Sequence, residues 1–413
     1  GRLYPVEMRW RPFEESREYD VNDAIADAVD ELWRGAPAAA GAASGPGDIL
    51  VFLPGEREIR EAADHLNKHL AQAHRGGPRP EILPLYARLS QPEQDRVFSA
   101  GHGRRIVLAT NVAETSLTVP GIRYVIDTGL ARVKRYSYRN KVEQLQVEPI
   151  SQAAANQRAG RCGRVSDGIC IRLYSEADFN NRVRFTDPEV LRSSLAAVIL
   201  QMKGLRLAEI EAFPFLDPPP RKAIADGYAL LHELNAIDGQ NTLTDIGRQL
   251  ARLPVDPHIG RMLLAARDGH CLREMLIIAA ALSSQDARER PMDAQQAADQ
   301  QHKRFADEQS DFLSFVKLWD YWHTAIAEKE SNRRLQTRLE REFLSPRKLR
   351  EWSDVHSQLL ETVEQMHWKL NGQPPTYEQL HQALLTGMLG NLGQRPPDEP
   401  QYLGTHETRF SIH

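Results

Sequence analysis

The 413-residue chain carries 52 Lys and Arg against 56 Asp and Glu, a formal net charge of −4. That excludes a polyanion binder that uses its whole surface, so any nucleic-acid site has to be a local basic cleft. The length suffices for two or three domains with cores of their own. Cys162, Cys170 and Cys271 have neither metal-ligand spacing nor the numbers for a disulfide framework, which suits a reducing, cytoplasmic setting with no metal centre.

Residues 1–20 read as extended and irregular, and Val21 to Trp33 as a short amphipathic helix. An Ala/Gly/Pro/Ser-rich loop follows at 35–48, with the composition of a flexible connection. Strand and helix then alternate. Ile49–Leu53 is a buried strand closed by Pro54-Gly55, and Glu56–Leu70 is a helix. Ile82–Tyr86 is a strand and Gln91–Phe98 a helix. Ile106–Ala109 and Tyr124–Ile126 are strands. Continuous apolar strands in β-α-β order predict a parallel sheet covered by helices on both faces. The segment 131–149 alternates and carries Arg132, Lys134, Arg135, Arg139 and Lys141 around Tyr136 and Tyr138. It reads as a protruding β-hairpin or a solvated ribbon. A helix over 152–161 and a strand over Ile169–Tyr174 close this part.

Beyond residue 178 the pattern turns helical. Pro188–Met202 and Pro220–Leu234 read as helices, Ala236–Thr244 as a small wing, and Thr244 starts another helix. Pro254 to Leu282 and roughly 300–390 supply a helical bundle with Leu272–Leu282 at its centre. After Gly390, Tyr402–Thr405 and Arg409–Ile412 look like strands. No apolar run approaches the roughly 18 residues of a membrane span, and no secretory leader is visible. The chain starts at Gly1 rather than at methionine and ends as abruptly, so it is expected to be a piece of a longer protein.

Two segments carry chemistry. In Gln157-Arg-Ala-Gly-Arg-Cys-Gly-Arg164, a helix sets Gln157, Arg161 and Arg164 at i, i+4 and i+7 on one stripe, with Arg158 pointing elsewhere. Two guanidiniums and an amide make a fork for phosphate oxygens. Gly160 and Gly163 each cost a helix about 1 kcal/mol and invite close approach. In Ile106-Val-Leu-Ala-Thr-Asn-Val-Ala-Glu-Thr-Ser-Leu-Thr118, an apolar strand delivers Thr110 and Asn111 to its carboxyl end, followed by Thr115, Ser116 and Thr118. Open α/β sheets bind ligands beyond those ends; the plainer alternative is a Ser/Thr-rich helix cap. The histidines His65, His356 and His381 lack ligand spacing and read as exposed or capping. Trp319, Trp322 and Trp352 read as core.

Leu53-Pro-Gly55, the Thr110–Thr118 run and Gln157–Arg164, together with Leu83–Leu89 and Phe213–Asp217, resemble the DEAH-box ATP-dependent RNA helicases of superfamily 2, in the bacterial HrpA type. The resemblance implies a second RecA-like domain over 1–177, a winged helix over 178–246, a helical ratchet domain over 247–390 and the truncated start of an OB-fold over 391–413. It implies that Gln157, Arg161 and Arg164 face the γ-phosphate of ATP, the two arginines as arginine fingers. Ser116 and Thr118 connect nucleotide state to RNA and help order the attacking water. Phe98 falls on the position that stacks on adenine, although it also reads as a core residue ending an amphipathic helix. Ala87, Arg88, Thr110 and Asn111 touch the RNA backbone, and Arg135 and Arg139 lie on the hairpin where duplex strands part. The ratchet helices and the OB-fold form the floor of the RNA channel.

Pro120 stands where many spliceosomal relatives place an aspartate for the ribose hydroxyls, so weaker ribose discrimination is expected. No G-x-x-x-x-G-K-[ST] loop and no Asp-Glu-Ala-His occurs in the sequence. The phosphate cradle and the Mg²⁺ carboxylates are therefore expected in a first RecA-like domain outside this chain. The chain alone is expected to be inactive and monomeric, its parent to act on single-stranded or partly duplex RNA. The competing functions are a non-catalytic nucleic-acid-binding adaptor of helicase-like fold and a DNA-directed superfamily-2 helicase.

Overall fold

The computed structural model describes residues 4–34, 47–73, 79–99, 103–137, 142–164, 166–328, 331–397, 400–405 and 409–411. The loop expected at 35–48 lies outside them except for Gly47 and Asp48, and Asp48 already begins a strand. Arg139, Lys141 and Tyr138 also lie outside. By its internal contacts the chain divides into two units, residues 1–133 with 145–187, and residues 134–144 with 188–413.

The first unit is built on β1 (Val6–Trp10), α1 (Val21–Arg34), β2 (Asp48–Phe52), α2 (Glu56–Ala73), β3 (Glu81–Leu85), α3 (Gln91–Phe98), β4 (Arg105–Ala109) and β5 (Ile122–Asp127). They are followed by β6 (Leu130–Ser137), β7 (Val142–Pro149), α4 (Gln152–Ala159), β8 (Gly168–Arg172) and α5 (Glu176–Asn181). Six strands form one sheet in the order β1-β8-β5-β2-β4-β3, and every neighbouring pair is parallel. Strands β2 and β4 are buried along their whole length, as unbroken apolar runs in a doubly covered sheet should be. Helices α1 and α2 pack on each other, burying Ile25, Val29, Ile59 and Leu66. Another core joins Leu50, Phe52, Val107 and Val125 of the sheet to Val97, Ala113, Val119, Ala159 and Cys162. Strands β6 and β7 pair only with each other among the described residues.

Three expectations change. Residues 6–10 are a regular edge strand rather than irregular chain, paired with β8 from Val6↔Gly168 to Trp10↔Arg172. Their half-buried pattern, with Glu7 exposed, hides the strand from a search for apolar runs. Helix α4 stops at Ala159, with Gly160 as its cap, so Arg161 and Arg164 do not continue a helical stripe with Gln157. The helix expected over Pro188–Met202 is a short 3-10 turn at Glu189–Leu191 followed by a helix from Ala196. The Ser194 hydroxyl accepts from the Ala196 backbone N–H and offers the chain a local turn instead.

The second unit contains α6 (Ala196–Gly204), α7 (Arg221–Glu233), α8 (Asp245–Leu250), α9 (Pro257–Asp268), α10 (Leu272–Leu282) and α11 (Gln295–His302). Then come α12 (Asp311–Ala327), α13 (Asn332–Arg341), α14 (Pro346–Gln365), α15 (Tyr377–Leu385) and the short strands β9 (Gly393–Gln394), β10 (Tyr402–Gly404) and β11 (Arg409–Phe410). One continuous core runs through it, with α10 packed on α9, α12 and α14. Trp319, Trp322 and Trp352 are buried there, and Trp352 donates from its indole nitrogen to the Ile277 carbonyl across 3.0 Å. Between α7 and α8 a single bridge, Ile237↔Leu243, closes a small wing around Asp238.

Candidate functional site

The Thr110–Thr118 run crosses from the carboxyl edge of the sheet to its amino edge. At the carboxyl edge, the turn after β3 exposes Ala87 and Arg88, and Thr110 and Asn111 follow β4. The two turns are neighbours, because the Thr110 backbone N–H donates to the Leu85 carbonyl across 3.2 Å. Thr110 stands at the N-cap of a 3-10 turn at Asn111–Ala113, but its side chain makes no capping bond. Asn111 is exposed. Arg135 is half-buried on β6 and is engaged by neighbours.

Thr115, Ser116 and Thr118 do not stay at that edge as the sequence reading had them. The chain turns down over the sheet face, seats Ala113 and Val119 in the core, and reaches the amino ends of the strands. The carbonyls of Pro120 and of Val97, in the last turn of α3, are both bonded by Arg105, the first residue of β4. Phe98 lies at this same edge. It is 36% exposed, so it is not the core phenylalanine its helix position also allowed.

The arginine segment arrives at the amino edge as well. The Gly163 carbonyl accepts from the Tyr4 N–H, just before β1, and the Gly168 N–H donates to the Pro5 carbonyl. Gly163 has φ +75°, and a Cβ there would meet Val6 Cγ2 at 2.6 Å and the Tyr4 carbonyl at 2.9 Å. What comes close to this glycine is therefore the chain's own first strand. Arg164 donates from Nη1 to Thr118 Oγ1 across 3.0 Å. Arg161 is half-buried, and its Nε is buried without a hydrogen-bond partner. Burial, and then the charge of Arg164, pull the Arg161 guanidinium below its ordinary value, with Glu114 offsetting part of this. Two mutually repelling guanidiniums, one with a buried Nε short of an acceptor, gain by taking an anion. Gln157 is exposed on the last turn of α4.

Arg158 has the opposite fate. Its side chain is 0% exposed and donates to Asp127 Oδ1 at 2.8 Å, Glu114 Oε2 at 3.0 Å and the Leu130 carbonyl at 3.1 Å. It also lies over the Phe52 ring. Burial opposes its charge, but Asp127 and Glu114 outweigh that and hold it above the ordinary arginine value. Tyr174 donates to the second Asp127 oxygen across 3.0 Å. Sequence reading did not single out Glu114, Asp127 or Arg105. The signal was present: each is a charge set inside or directly beside an apolar strand or a Ser/Thr run, and buried charges need partners.

Other candidates recede. Cys162 is buried and its thiol faces the Ala159 carbonyl. His65 sits by Asp23, and His381 bonds Ser310 and the Tyr377 carbonyl. His356 is neither exposed nor a cap, since it packs on Trp319 with 4.5 Å between ring centroids. Among the described residues no group of three or more His, Cys, Asp or Glu could hold a metal ion. No helix there is long and apolar enough to cross a membrane.

Comparison with known proteins places this geometry. Residues 32–166 match the helicase conserved C-terminal domain. Residues 229–255 match the winged-helix part, and 256–315 the ratchet-like part, of the helicase associated domain HA2. Over 423 aligned residues the chain is 54% identical to the ATP-dependent RNA helicase HrpA of Escherichia coli, covering 100% of this chain and 31% of that protein. Over its whole length the chain matches a C-terminal fragment of HrpA-type DEAH helicases. The HrpA homolog of Haemophilus influenzae is 51% identical, again over 100% of this chain and 31% of its own length. The pre-mRNA-splicing factor ATP-dependent RNA helicase prp22 of Schizosaccharomyces pombe is 33% identical over 97% of this chain and 33% of its own length. The chain thus spans about a third of the length of the relatives it matches. The solved structure of the E. coli DExH-box NTPase HrpB superposes with a TM-score of 0.72 at 26% identity, over 100% of this chain and 42% of that one. A second HrpB structure, described as a DEAH/RHA helicase, gives 0.72 at 25% identity, over 100% of this chain and 44% of that one.

Proposed function

We propose that this chain is the arginine-bearing half of an ATP-dependent RNA helicase motor, lending one wall to an ATP site whose other wall belongs to a separate P-loop domain of the parent protein. The observation that carries the reading is Arg161, a half-buried guanidinium next to Arg164 with an Nε that meets no acceptor. An anion is what such a pair lacks, and the γ-phosphoryl group of ATP, transferred to water, is the anion whose growing charge an arginine pair stabilises. Arg161 and Arg164 act as fingers, and Gln157, Ser116 and Thr118 orient the water and report phosphate loss. Phe98 stacks on adenine. The Mg²⁺ ligands belong to the P-loop domain.

At the opposite edge of the sheet, Ala87, Arg88, Thr110 and Asn111 grip the backbone of one RNA strand. Arg135 of β6, and Arg139 outside the described residues, act where duplex strands part. The run from Asn111 to Thr118 is one continuous segment between the two edges, so a shift at the phosphate end is felt at the RNA end. Grip through phosphates gives little sequence preference and a steep salt dependence. The domain reading remains a RecA-like domain to residue 177, a winged helix to 246, a ratchet domain to 390 and the start of an OB-fold, in a monomeric cytoplasmic protein.

The test is ATP turnover by the full-length parent with RNA, with single-stranded DNA and without nucleic acid, beside the isolated chain. RNA stimulates the parent, and the isolated chain is silent. Turnover by the isolated chain defeats the split site, and equal stimulation by DNA defeats the RNA assignment.

A further inference from the structure

We infer that Arg105 is a positioning residue for the nucleotide base, acting through Phe98. The inference rests on the reading of Phe98 as the adenine-stacking side chain and goes beyond it by naming what aims the ring.

Arg105 opens strand β4 and is 5% exposed. A guanidinium is retained in such a place only if its donors are used. Nε donates to Asp48 Oδ2 at 2.8 Å, and the Arg105 backbone N–H donates to the other Asp48 oxygen at 3.1 Å. Nη1 donates to the carbonyls of Val97 at 3.0 Å and Ser99 at 3.1 Å, and Nη2 to the carbonyl of Pro120 at 3.2 Å.

The carbonyls of Val97 and Ser99 flank Phe98. The ring projects from the backbone between those two carbonyls, and Arg105 holds both sides of it. The third carbonyl belongs to the segment Thr118–Pro120, which carries the hydroxyl that Arg164 bonds. One planar fork therefore ties the base-side residue to the phosphate-side segment at a fixed spacing. The side chain at 120 is a proline, with no group to offer a ribose, so the segment meets Arg105 through its backbone alone. Discrimination on the nucleoside side then falls to the stack. Lysine at 105 keeps the charge beside Asp48 but has no planar fork to reach three carbonyls in divergent directions.

The experiment is steady-state hydrolysis of ATP and of UTP by the RNA-saturated full-length parent protein, with its melting temperature recorded, for Arg105→Lys, Phe98→Ala and the double variant. Phe98→Ala raises KM for ATP roughly tenfold, the loss of one base–aromatic stack. Arg105→Lys raises it about threefold or more with kcat little changed, and the preference for ATP over UTP narrows. The double variant has the KM of Phe98→Ala, because residues acting through one contact are not additive. Multiplication of the two effects in the double variant overturns the proposal, as does a fall in kcat with KM unmoved. If Phe98→Ala alone leaves KM unchanged, the stacking role itself is wrong, and the proposal falls with it before Arg105 is considered. Should Arg105→Lys melt below the assay temperature, Asp48→Asn carries the same cycle, because it loosens the guanidinium without removing it.

Discussion

Arg164 Nη1 lies 3.0 Å from Thr118 Oγ1 and donates to it, so the end of the arginine segment is fastened to the end of the Ser/Thr run. The bond fixes one guanidinium while leaving Arg161, beside it, with an unused Nε. Arg161→Ala or Arg164→Ala in the full-length parent should lower kcat for RNA-stimulated ATP hydrolysis by about 10³- to 10⁵-fold, the range for loss of an arginine finger. Thr118→Val should cost less, roughly tenfold, because it frees Arg164 without removing it. Steady-state turnover at saturating ATP and RNA checks both, and unchanged kcat in the two arginine variants ends the finger assignment.

Arg158, three residues before Arg161, should behave as a stability residue. Replacing it by alanine strands Asp127, which is 0% exposed, against Glu114 with no cation between them. Breaking a buried pair from one side costs about 3–5 kcal/mol. Urea denaturation of Arg158→Ala should show that loss as a lower midpoint. The isolated chain serves for this measurement, since no turnover is required. A variant as stable as the wild type would mean that the buried network contributes nothing to the fold.

The contrast between these arginines shows what the sequence can carry. Strands β2, β4 and β5 were legible because each is a continuous apolar run, which a doubly covered parallel sheet requires. The two chemical segments were legible by residue type. Their placement was not. A helical reading put Gln157, Arg161 and Arg164 on one stripe, but the helix ends at Ala159 and the arginines belong to the turn beyond it. The same reading set Arg158 apart, although the cause is its burial against Asp127, more than thirty residues away in sequence. By residue type the Thr110–Thr118 run reads as one site at one strand end, yet tertiary packing of Ala113 and Val119 draws it across the sheet. Local periodicity holds no information about such crossings. Arg105 was passed over for a similar reason: a single charge at the start of an apolar strand reveals its partners only when the strands are assembled.

Gly163 offers a test of that turn. Its φ of +75° suits glycine, and the space for a Cβ is filled by Val6 Cγ2 and the Tyr4 carbonyl. Gly163→Ala should cost about 1–2 kcal/mol for the left-handed backbone, with a further loss from the clash. The strain falls on β1, so hydrogen exchange at residues 6–10 should quicken more than at β2 or β4. Val6→Ala should recover only the part due to the methyl contact, which leaves the backbone part measurable in the double variant. Equal exchange at β1 in wild type and Gly163→Ala would show that the first strand does not depend on this turn.

His356 should set an acid limit on the helical unit. It packs on Trp319, and burial, followed by the charges of His323 and Arg273, pulls its imidazole down to about 4. The folded value is thus below the ordinary 6.5, and the sign follows. Above pH 6.5 the ring is neutral in both states and contributes no pH dependence. Between pH 6.5 and about 4 the unfolded chain takes up a proton that the folded chain refuses, so stability falls as pH falls. Below about 4 both states are protonated and the loss levels off, at on the order of 3 kcal/mol in full. Carboxylates titrate at the lower end of this window, so the measurement is the difference between wild type and His356→Gln by urea denaturation at each pH. The two curves should run parallel above pH 6.5 and converge or cross below it, as the wild type alone loses stability to this group. Parallel curves down to pH 4 would place His356 in water rather than against Trp319.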